Sequence, residues 1–70
     1  MFIKYGDKRI NLSLIKEYKP IRKSSLSGEY FSVELIFLND EREEIHFFNR
    51  EEERNNFLKS LDDRFLYKDE

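Results

Sequence analysis

Apolar and polar residues alternate most regularly between Glu29 and Asn49, and this stretch predicts a β-hairpin around which the rest of the chain is organised. Its first strand, Tyr30 to Leu38, is rich in β-branched and aromatic residues and places Phe31, Val33, Leu35 and Phe37 on one face. Its second, Glu44 to Phe48, adds Ile45 and Phe47 to the same face. Pairing Phe37 with Ile45 and Leu35 with Phe47 keeps the two apolar faces together, because a slip by one residue would send every side chain to the opposite side. That register predicts an odd-length turn centred on Glu41, with Asn39 or Asp40 accepting a positive φ.

Upstream, Phe2 to Tyr5 and Lys8 to Ile10 read as two short strands joined by a Gly6-Asp7 turn. The spacing of Leu12, Leu14 and Ile15 breaks strand alternation and calls for a bulge or a single helical turn capped by Asn11. Residues 15 to 21 return to an extended pattern, on an edge because Pro20 has no amide hydrogen to give an interior ladder. Arg22 to Gly28 reads as a polar loop. Downstream, Asn49 followed by Glu51, Glu52 and Glu53 is a helix start, with Asn49 as cap and carboxylates against the positive end of the helix dipole. Phe57, Leu58, Leu61, Phe65 and Leu66 then recur at helical spacing as one apolar stripe.

The predicted architecture is a single small α+β domain covering residues 1 to 70. It is a two-layer ββββα arrangement, with the first hairpin counted as one irregular pair and the C-terminal helix packed on the Phe31, Val33, Leu35, Phe37, Ile45 and Phe47 face of an antiparallel sheet. The opposite face gathers Tyr30, Glu34, Ile36, Leu38, His46 and Phe48, which is apolar for a face left to solvent. In element order alone the chain is similar to small single-strand nucleic-acid-binding coactivator and Whirly-type domains, which form sheet-based dimers. It also resembles the closing strands and helix of bacterial pleckstrin-homology-like barrels. Neither resemblance rests on particular residues, so neither assigns a site.

Composition narrows the function classes. Seven Phe and four Tyr in 70 residues exclude a disordered chain, and the absence of cysteine excludes disulfides and thiolate metal sites. No apolar run is long enough to span a bilayer and the first residues lack a signal-peptide pattern, so the expectation is a cytoplasmic protein without a membrane partner. His46 is the only histidine, the carboxylates lack the spacing of a calcium loop, and no nucleophile elbow or phosphate loop occurs. The expectation is a protein that is not an enzyme and carries no cofactor and no metal.

The net charge of -2 is unevenly spread, with an excess of four positive charges over residues 1 to 30 and of six negative charges over residues 31 to 70. The leading reading is a protein-interaction domain, homodimeric through the second sheet face, with Tyr30, Ile36, Leu38, His46 and Phe48 as contact residues and Tyr18 and Leu26 as additions. On that reading Ile36→Glu dissolves the dimer and leaves a folded monomer. The alternative is single-stranded nucleic-acid binding along Lys16, Tyr18, Lys19, Arg22 and Lys23, where a basic track would combine with an aromatic platform. A third setting is a small inhibitor or accessory protein of a mobile element.

Overall fold

A computed structural model describes residues 2 to 65 and shows a small α+β domain of two antiparallel sheets and one helix. Strand β1 (Phe2–Tyr5) pairs with β2 (Lys8–Asn11) across the Gly6-Asp7 turn, where Gly6 takes the positive φ of 59° that a side chain would resist. A 3-10 turn follows at Leu12–Leu14. The Asn11 side chain accepts hydrogen bonds from the Ser13 backbone N–H at 3.1 Å and its hydroxyl at 2.7 Å, so the predicted Asn11 cap is present. Leu12 points inward and is almost wholly buried, which accounts for the break in alternation.

The second sheet has the order β3-β4-β5, formed by β3 (Ile15–Ser25), β4 (Gly28–Phe37) and β5 (Arg42–Phe48). Pro20 lies on the edge strand β3, as its missing N–H requires. The sequence reading of four strands becomes five strands in two sheets. The 3-10 turn takes β1 and β2 out of the larger sheet, and the first hairpin packs on the same face of it as the helix. Tyr5 meets Phe47 and Phe57 edge-on, at ring separations of 5.0 and 5.9 Å, and Ile3, Ile10 and Leu12 join Val33, Leu35, Ile45 and Phe47 in one core.

The register of the central hairpin also differs from expectation. Val33 faces Ile45 and Ile36 faces Arg42, a slip of four residues from the predicted pairing. The reversal is a tight turn in which Asp40 donates its N–H to Phe37 and holds a φ of 70°, while Asn39 accepts from Glu41. An even slip leaves every side chain on its own face, so the core face is as predicted while the partners are not. The predicted loop at Arg22 to Gly28 is also replaced. β3 and β4 continue as a ladder to Ser25 opposite Gly28, and only Leu26 and Ser27 lie between the strands. Residues 22 to 30 are all exposed, and this part of the hairpin forms an arm beyond the core.

Helix α1 (Glu51–Phe65) buries Phe57 and Leu61 and half-buries Leu58 and Phe65, so the predicted stripe holds wherever it is described; Leu66 lies outside the described residues. The first backbone bond of the helix runs from the Arg54 N–H to the Arg50 carbonyl at 3.1 Å, which places the cap at Arg50 rather than Asn49. Arg54 belongs to the same stripe and is buried. Its guanidinium donates to the carbonyls of Ile21 at 3.0 Å and Ser32 at 3.2 Å and to Asn55 Oδ1 at 2.9 Å, and it lies over the Phe31 ring at 5.3 Å. A cation can stay buried there because these groups replace its water. Among the described residues no helix is long and apolar enough to cross a membrane.

Candidate functional site

Among the described residues, the helix and the first hairpin cover one face of the three-stranded sheet and leave open the other, which carries Tyr30, Ser32, Glu34 and Ile36. Most of that face is a charge ladder. Glu34 at its centre pairs with Lys19 from β3 at 3.6 Å and with Arg42 from β5 at 3.4 Å. Glu44 accepts from the Ser32 hydroxyl at 2.5 Å and faces Lys23 at 3.7 Å and His46 Nδ1 at 3.9 Å. The Ser32 hydroxyl bond, followed by the charge of Lys23, holds the Glu44 carboxyl below its ordinary range.

The five predicted contact residues do not form one patch. Ile36 is only 5% exposed and contributes almost no accessible surface; its partners on the neighbouring strands are Glu17 and Arg42. Leu38 is exposed at the opposite end of β4, where it shares a cleft of about 420 Å³ with Leu14, Phe37 and the acidic Glu41 and Glu43. Tyr30, His46 and Phe48 do come together, in a cleft of about 270 Å³ whose floor includes Ser32 and Glu44 and whose rim includes Lys23.

Phe48 governs this end of the sheet. Phe31 faces Phe48 while Ser32 faces His46, so Phe47 is the extra residue of a β-bulge and drops into the core. Phe48 then takes a φ of 57°, a conformation that costs a side-chain-bearing residue about 1–2 kcal/mol. It presents a ring that is 60% exposed, 6.3 Å from His46 and 5.9 Å from the Arg50 guanidinium. Tyr30 is 37% exposed, and its hydroxyl meets that of Ser27 at 2.7 Å, which connects the cluster to the arm tip. At the tip, Leu26 is fully exposed.

The basic stretch is divided between the two faces. Tyr18 turns toward the helix, donates to Asp62 at 2.8 Å and packs against Phe65 at 5.5 Å, while its strand neighbours Lys19 and Lys23 stand on the open face. Burial, followed by the bond to Asp62, pushes the Tyr18 phenol up to about 12. Lys16 pairs with Asp40 at 2.5 Å. Among the described residues only Arg22 of the four cations in this set makes no ion pair. Tyr18 and the lysines therefore do not build one basic, stacking surface. No cluster of three or more His, Asp or Glu side chains able to hold a metal ion occurs among the described residues.

Sequence reading missed Arg54, whose position three residues before Phe57 was the available signal. It also missed the Ser32–Glu44 bond, which depends on a register that the pattern leaves open. No protein-family model matches this chain, and comparison with curated proteins and with solved structures found no match.

Proposed function

We propose that the chain is a non-enzymatic protein-interaction domain that forms a homodimer through the aromatic end of its open sheet face, with Tyr30, His46 and Phe48 as the contact residues. The observation that carries this reading is the exposed Phe48 ring held out by an unfavourable backbone conformation. Strain of this kind persists where the surrounding structure imposes it, and here it projects an apolar ring into solvent. The rest of the open face is a poor contact surface, since covering it would desolvate Lys19, Glu34, Arg42 and Glu44. A two-fold contact confined to the aromatic end leaves that ladder wet. Substituting Phe48 by Glu and following molar mass against protein concentration tests the assignment. The mass of the wild-type chain should rise with concentration and that of the variant should not.

A further inference from the structure

The outer edges of the larger sheet are unequally protected. β3 carries Pro20 together with Lys16, Lys19 and Lys23, features that discourage the addition of another strand. The edge of β5 is met by the first hairpin, where the Tyr5 hydroxyl donates to the His46 carbonyl at 2.7 Å and Lys8 pairs with Glu43. A third edge exists because β4 outruns β5. The β4–β5 ladder ends at Phe31 opposite Phe48, whereas the β3–β4 ladder continues to Ser25 opposite Gly28. Among the described residues, Gly28, Glu29 and Tyr30 thus have a strand neighbour on one side only.

From this edge we propose that two copies of the chain pair through their arms, joining the free Gly28–Tyr30 edges as antiparallel strands about a two-fold axis. The inference rests on the self-association assigned to the aromatic end and specifies how the second copy is seated there. A second copy supplies both halves of the contact, with Gly28 opposite Tyr30 and the two exposed Glu29 side chains facing each other across the axis, a like-charge cost that the burial of Leu26 and Phe48 has to exceed. The free edge spans three residues, roughly 10 Å, so antiparallel overlap brings the Leu26 tip of one arm beside Tyr30 and Phe48 of the other. Leu26 and Phe48, both far out in solvent on a single chain, then bury one another twice per dimer.

The arm is suited to this role. Ser25 Oγ accepts the Ser27 N–H at 3.3 Å and meets Ser27 Oγ at 3.0 Å, and Ser27 Oγ in turn meets the Tyr30 hydroxyl, so the tip is ordered before a partner arrives. At its base Arg54 holds the carbonyls of Ile21 and Ser32, one from each strand. Arg22 and Lys23 stand on β3, away from the pairing edge, and Lys23 is matched by Glu44.

The test combines light scattering with residue-resolved amide exchange on the full chain, using the wild type, Leu26→Glu and Phe48→Glu. Leu26 is fully exposed among the described residues, so the variant folds. Leu26→Glu should weaken dimerisation at least tenfold, and the edge amides among residues 28 to 30 should exchange at least tenfold more slowly in the wild-type dimer than in the Phe48→Glu monomer. A dimer that Phe48→Glu abolishes, but that Leu26→Glu leaves intact with fast exchange at 28 to 30, overturns arm pairing and keeps the aromatic contact. A wild-type chain that stays monomeric overturns both.

Discussion

Nη1 of Arg54 donates to the carbonyl oxygen of Ser32 at 3.2 Å, which ties the first turns of α1 to the middle of β4. The same nitrogen reaches the Ile21 carbonyl on β3, so one buried cation joins the helix to both strands at the base of the arm. Replacing Arg54 by Ala leaves a hole and removes charge-assisted bonds, and should lower unfolding free energy by about 3 kcal/mol. Met at this position fills the stem without a charge to desolvate, and should lose less than half as much. Urea unfolding of the two variants measures the difference.

Phe48 is strained and largely exposed, so its replacement by Gly relieves the backbone at little loss of burial. Phe48→Gly should raise stability by about 1 kcal/mol, whereas Phe48→Ala, which keeps the strain, should not. Thermal unfolding under monomeric conditions separates the two. Gain of stability together with loss of the contact is the signature of a residue retained for binding.

The Tyr18 phenol is held up to about 12 by burial and by its bond to Asp62, against an unfolded value near 10. The folded chain therefore keeps this proton where the unfolded chain has lost it. The associated stability is complete below about pH 10 and is lost as pH rises toward about 12. Tyr18→Phe removes that pH dependence and the hydrogen bond, so its unfolding midpoint should lie below that of the wild type at pH 8 and converge on it toward pH 12.

Ile36 is buried on β4, where Glu17 and Arg42 are its cross-strand partners. Ile36→Glu should accordingly destabilise the fold by more than about 3 kcal/mol, instead of giving the folded monomer expected from the sequence. Circular dichroism in urea shows which occurs.

Much of the fold was legible because side-chain alternation depends only on local spacing. Val33, Leu35, Ile45 and Phe47 declared one face of the hairpin, Asn11 declared a cap, and Pro20 declared an edge. What stayed hidden depends on longer distances. The four-residue slip in the β4–β5 register preserves every face and therefore leaves no trace in the pattern. The arm could not be told from a loop, because within Arg22 to Gly28 the residues Ser24, Ser25, Ser27 and Gly28 are small and polar whether or not the backbone is paired. The candidate site was half legible. Tyr30, His46 and Phe48 share a face by parity, but parity carries no information about Ile36 being buried or Leu38 lying beyond the other end of the strand.

The most direct test of the proposed contact at the aromatic end is molar mass in solution for the wild type and Phe48→Glu, measured by light scattering across a wide range of protein concentration. The wild type should move from 8.7 kDa toward twice that value, while Phe48→Glu, still folded, stays at 8.7 kDa throughout. A wild-type mass that remains at 8.7 kDa at every concentration, or a Phe48→Glu chain that dimerises as the wild type does, would contradict it.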